Sequence, residues 1–119
     1  IMPEVIRAAD ELTAAGIAVD VLCITSADLL FRAVQARQGL APGDDRILLE
    51  LLPAARRSPI VTVLDGHPHT LAFLAGVHET SIATLGVQGF GQSGDVDDLY
   101  RYFGIDTDTI VGAALDLIA

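Results

Sequence analysis

The sequence predicts an α/β domain: three layers (α/β/α) with helices on both faces of a mostly parallel sheet. Three observations point there. Strand-like runs alternate with helical ones along the chain. The strand-like runs are near-continuous apolar stretches, the pattern of strands buried on both faces. The chain has 119 residues, 51% of them hydrophobic and only 5% aromatic, so one domain with an aliphatic core is expected.

The elements follow in order. "PEVIRAADELTAAG" reads as a helix, with Pro3 in the first turn, Glu4 near the positive helix end and Gly16 as terminator. Val5, Ala8, Ala9 and Leu12 share one face of it. "IAVDVLCI" is expected as a strand, and Cys23 within it as a small buried hydrophobe. Ser26 caps a second helix from about Ala27 to Gln38, stopped by Gly39. "DDRILLELL" makes a short third helix before Pro53. "PIVTVLDG" is the next strand, and "HPHTLAFLAGV" turns helical with Pro68 near its start. "SIATLGV" is a third strand. "DVDDLYRYFG" is a helix stopped by Gly104, and "DTDTIVGAALDLIA" is the last, capped by Asp106 or Thr107.

The sequence opens directly on a helix. A strand just before Ile1, or one supplied by another segment, is therefore expected to complete the sheet, which makes residues 1–119 a single domain within a longer protein. A mean hydropathy of +0.50 agrees, because so apolar a domain is expected to bury a face against an oligomeric partner or the rest of a larger chain.

Charge narrows the function. The net charge is −9 and all seven basic residues are Arg. Nucleic acid is not an expected partner, because no basic stripe exists. Without Lys there is no Schiff-base chemistry and no P-loop lysine. No run approaches the ~18 apolar residues of a membrane span, and no basic start with an apolar stretch marks a secretory signal. The single cysteine allows no intrachain disulfide, and a cytoplasmic location is expected.

Three constellations invite a chemical reading. "GFGQSG" fits the dinucleotide fingerprint at Gly89, Gly91 and Gly94. That fingerprint needs a helix N-terminus facing the phosphates, yet Asp95, Asp97 and Asp98 occupy that end. It also needs a later strand ending in an acid, and only helices follow. A sharp chain reversal is the favoured reading, and a stand-alone nucleotide-binding module is the alternative. Asp65, His67 and His69 follow a strand end, where α/β sheets place ligands. A metal site would need further ligands that are not evident, and His78 is nine residues beyond His69. Helix capping and interface hydrogen bonds are the preferred role for Asp65 and His67. Ser93 misses the nucleophile-elbow pattern because Asp95 replaces its last glycine. Asp44-Asp45 and Asp97-Asp98 read as solvated helix starts. No catalytic, cofactor-binding or metal-ligating residue is assigned to the chain.

"LGVQGFGQSGDVDDLYRYFGIDTDTIVGAALDLI" resembles the C-terminal domain of the transketolase superfamily of thiamine diphosphate enzymes. Phe90, Gly91, Ser93, Leu99, Tyr100, Phe103, Gly104, Ile110 and Val111 carry the likeness, and Gln92 and Gly94 complete the loop. "ITSADLLFR", with Thr25, Ser26, Leu30 and Arg32, is similar to homodimeric pyruvate dehydrogenase, the decarboxylating component of a 2-oxo acid dehydrogenase complex. The second helix lacks the Phe-Asp-x-Gln-Asp stretch of transketolase proper, and Ala-Pro does not follow Ser93.

The resemblance implies a parent enzyme using thiamine diphosphate and Mg²⁺ held by upstream domains. The family's Gly-Asp-Gly…Asn metal motif is absent here, and the chain has no Asn. The resemblance therefore implies a structural and dimerisation role. The expected partners are the upstream domains, a second copy in a homodimer and a lipoyl acyltransferase component. A transketolase C-terminal domain is the alternative.

Overall fold

The computed structural model describes residues 1–88 and 96–119. In chain order the elements are α1 (Met2–Ala14), α2 (Ala27–Arg37), α3 (Arg46–Leu51), a 3₁₀ turn (Ala54–Arg56), β1 (Ile60–Val63), a 3₁₀ segment (Pro68–Leu74) running into α4 (Ala75–His78), β2 (Ile82–Leu85), α5 (Val96–Phe103) and α6 (Thr107–Ile118). The chain is an α/β fold, as its sequence predicts.

Two strands pair among the described residues, and they are parallel. Ile60 lies opposite Ile82 and Val63 opposite Leu85. The parallel pair needs a crossover, and the 3₁₀ segment with α4 supplies it. Pleating sends alternate side chains to opposite faces. Ile60, Leu64 and Ile82 join a core with Leu30 and Ala33 of α2, Leu48 of α3, and Leu71, Leu74 and Val77 of the crossover. Val61, Val63, Ala83 and Leu85 point the other way. α6 packs on both strands and on α1; Ala8 and Leu12 of α1, Ile110 of α6 and Ile105 just before it are buried.

The run Ile17–Ile24 departs from expectation. It is not a strand: residues 18 to 25 make no backbone hydrogen bond to any described residue. Val19, Val21 and Leu22 are exposed, and so is Cys23, against its expected burial. The reason is physical. β-propensity supplies only the fit to a pleated surface, while a strand exists through a neighbour that completes its ladder. β1 and β2 pair with each other, and this run pairs with neither.

Local chemistry sets the start of α2 and the end of α1, and a distant residue sets the start of α6. Ser26 caps α2, its hydroxyl accepting from the Leu29 N–H at 3.3 Å. α1 stops at Gly16, whose φ of +86° suits a residue without a Cβ. At α6, Asp106 sits at the cap position, but its side chain makes no cap bond; Oδ1 accepts from the Thr109 hydroxyl at 2.5 Å. The Glu4 carboxylate, arriving from α1, caps α6 instead. Its Oε2 accepts from the Thr107 N–H at 2.8 Å and from the Thr107 hydroxyl. Glu4 is buried, and its remaining oxygen pairs with Arg7 at 3.0 Å. These bonds, the Thr107 hydroxyl first, hold its carboxyl below the usual glutamate range against the opposing effect of burial.

Candidate functional site

The carboxyl ends of β1 and β2 lie side by side, the place where open α/β sheets bind ligands. β1 leads into Leu64-Asp65-Gly66-His67, and β2 into Gly86-Val87-Gln88. Two backbone bonds tie the exits together. Leu64 N–H donates to the Leu85 carbonyl at 3.2 Å, and Val87 N–H donates to the Gly66 carbonyl at 2.7 Å. The second bond brings Gly86 hard against the opposite turn. A Cβ placed there would stand 2.4 Å from the Gly66 oxygen and 2.9 Å from the Pro68 nitrogen. Glycine is required at position 86 because two backbones approach each other without room for a side chain.

His67 is the N-cap residue of the 3₁₀ segment, and its Nδ1 accepts from the His69 N–H at 3.2 Å. Pro68 begins the turn, where its missing N–H costs nothing, and it is buried. The turn sets the His67 and His69 rings 4.1 Å apart between centroids, with their Nδ1 atoms meeting. Both rings are exposed, and so is Asp65, which makes no hydrogen bond to a described residue.

His78 does not join them. It ends α4 at the opposite end of the crossover, where its Nε2 donates to the Leu52 carbonyl at 2.5 Å. Among the described residues, no three of His, Cys, Asp and Glu come together to hold a metal ion. Phe90, Gly91, Gln92, Ser93 and Gly94 lie outside the described residues.

Two features escaped sequence reasoning. One is Glu4, a first-turn acid by pattern but a buried link to α6 by geometry. The other is a small cavity at the amino ends of the strands, lined in part by Arg56, Arg57 and Thr80. The adjacent pair Arg56-Arg57, the single Arg-Arg step in the chain, was the available signal for it. No helix of the described residues is long and apolar enough to cross a membrane.

Comparison with known proteins gives one family. The model of the transketolase-like C-terminal domain matches residues 1–106. No curated protein matches the chain, and no solved structure does. With nearly the whole chain covered, from α1 into the cap of α6, the protein belongs to the transketolase-like C-terminal domain family, a family found in thiamine diphosphate enzymes.

Proposed function

We propose that the chain is the C-terminal domain of a thiamine diphosphate-dependent 2-oxo acid dehydrogenase acting on pyruvate. Its role there is structural. It packs against upstream domains, supports the homodimer, and leaves the cofactor and Mg²⁺ to residues outside 1–119. The parent passes its acyl product to a lipoyl acyltransferase component in the cytoplasm.

One observation carries the structural role: within the run Ile17–Ile24, residues 18–23 are open to solvent, and the run has no ladder partner among the described residues. A run of this kind is stable only when covered. Support for the pyruvate branch comes from Thr25, Ser26, Leu30 and Arg32 in "ITSADLLFR". The family match supports transketolase equally, so transfer of a two-carbon ketol unit between sugar phosphates is the second reading.

The parent enzyme separates the two. Supplied with thiamine diphosphate, Mg²⁺ and pyruvate, it reduces and acetylates a lipoyl domain on the first reading. Ketol transfer from xylulose 5-phosphate to ribose 5-phosphate without lipoyl acetylation would replace it with the second. Neither activity in an intact parent would end both.

A further inference from the structure

The outer edge of β1 and the run Ile17–Ile24 both lack partners. Ile60 N–H donates to the Ser81 carbonyl at 3.0 Å, and Leu64 N–H donates to the Leu85 carbonyl at 3.2 Å. The even-numbered residues of β1 therefore address β2. Backbone groups alternate along a strand, so the N–H and C=O of Val61 and Val63 address the opposite edge. There they bond to no described residue. Helices cover both faces of β1: α6 lies on one, and α2 and α3 share a core with Ile60 and Leu64 on the other. An unpaired edge between covered faces invites a further strand.

The run Ile17–Ile24 is tied to the neighbourhood of β1 by side chains. Asp20 reaches Arg56, four residues ahead of Ile60, at 3.5 Å. Ile24 packs on the core that Ile60 and Leu64 join. Residues 18 to 25, however, make no backbone bond to any described residue. The position of α1 supplies a direction. The Ile1 amino group donates to the Tyr100 hydroxyl at 3.1 Å, and Tyr100 belongs to α5, the helix that follows the exit of β2. α1 thus begins on the side of the carboxyl ends of the strands. It ends at Ala14, six residues before Asp20, on the side of the amino ends.

We propose that the segment leading into Ile1 is a strand seated between β1 and the run Ile17–Ile24, parallel to both. A segment that reaches Ile1 through this place runs from the amino side to the carboxyl side, as β1 does. It accepts from and donates to Val61 and Val63 on one edge and pairs with the run on the other. α1 is then the crossover that two parallel neighbours require. The segment is apolar on both faces and carries no charge in its middle, because helices lie above and below it. The proposal rests on the reading that residues 1–119 belong to a longer enzyme, and it is independent of the reaction that enzyme performs.

Hydrogen–deuterium exchange of the intact parent, read residue by residue by mass spectrometry, is the test. Expected is slowing by about a hundredfold or more at Val61, at Val63 and at alternate amides of residues 18–24, the behaviour of a core strand. The alternation separates a strand from a covering domain. A second measurement names the occupant. A cysteine is placed in turn at each of the roughly six residues ahead of Ile1, an ordinary strand length. Each is offered a thiol cross-linker matched to the roughly 4.8 Å spacing of paired strands. Links to Cys23 are expected from alternate positions only. Fast exchange at Val61 and Val63, slowing of the run without alternation, or no link to Cys23 from any position would overturn the proposal. Slowed exchange beside failed lipoyl acetylation would uphold the strand and remove only the pyruvate reading.

Discussion

Gly86→Ala tests the joint between the two strand exits. The new Cβ would stand 2.4 Å from the Gly66 carbonyl oxygen, 2.9 Å from the Pro68 nitrogen and 3.0 Å from the Pro68 Cδ. Real Cβ contacts essentially never fall below 3.0 Å, so the carbonyl must retreat by at least 0.6 Å. None of these atoms ends a flexible side chain; two are backbone and the third is in a buried proline ring. The retreat also stretches the 2.7 Å bond from Val87 N–H to that same carbonyl. Overpacking of this kind costs about 1–3 kcal/mol, and a lost backbone bond adds about 1 kcal/mol. The expected destabilisation is therefore about 2–4 kcal/mol, a fall in Tm of roughly 8–16 °C for a chain of this size. Urea unfolding followed by circular dichroism measures it. Gly76→Ala is the control, because nothing lies within 4 Å of a Cβ at that position in α4. Equal midpoints for Gly86→Ala and wild type would refute the close approach of the two turns.

Other substitutions probe the remaining links. Glu4 has its pKa lowered on folding, first by the Thr107 hydroxyl and then by the Thr107 N–H and Arg7. Its contribution is thus fully present above the unfolded glutamate value of 4.5 and is lost as pH falls through the lower folded value. Urea midpoints of wild type should drop between pH 5 and pH 3, as ordinary carboxylate titration sets that window, and Glu4→Gln should flatten this particular drop. A drop of unchanged size in Glu4→Gln would remove Glu4 from the account of acid sensitivity. Leu48 is fully buried, and Leu48→Ala should cost about 2–5 kcal/mol in the same unfolding assay. Gly112 lies inside α6 with nothing within 4 Å, so Gly112→Ala should raise stability by about 0.5–1 kcal/mol. Cys23 is exposed, so native chain should react with a disulfide reagent as fast as urea-unfolded chain. Protection in the native chain would mean that Ile17–Ile24 is covered.

Much of this fold is legible in the sequence because much of it is local. Ser26 caps the helix it precedes, and Gly16, Gly39 and Gly104 stand with positive φ at the helix ends where they are expected. The runs "IVTV" and "IATL" form strands because each has the other alongside. "IAVDVLCI" has the same composition and no such neighbour, and pairing is not written in the run itself. Glu4 misleads for a related reason. Its place in the first turn of α1 accounts for a carboxylate there, while its actual partner lies 103 residues away. In the histidine turn, the nearness of Asp65, His67 and His69 is plain from spacing. The convergence of the two Nδ1 atoms is not, because it depends on how Pro68 sets the 3₁₀ turn.

The central claim is that these residues scaffold a thiamine diphosphate enzyme and do not bind its cofactor. Calorimetric titration of the 119-residue chain with thiamine diphosphate and Mg²⁺ tests it most directly, with release of CO₂ from pyruvate measured on the same sample. The account predicts no saturable heat and no CO₂ above the protein-free rate. Stoichiometric cofactor binding, or turnover by the chain alone, would contradict it.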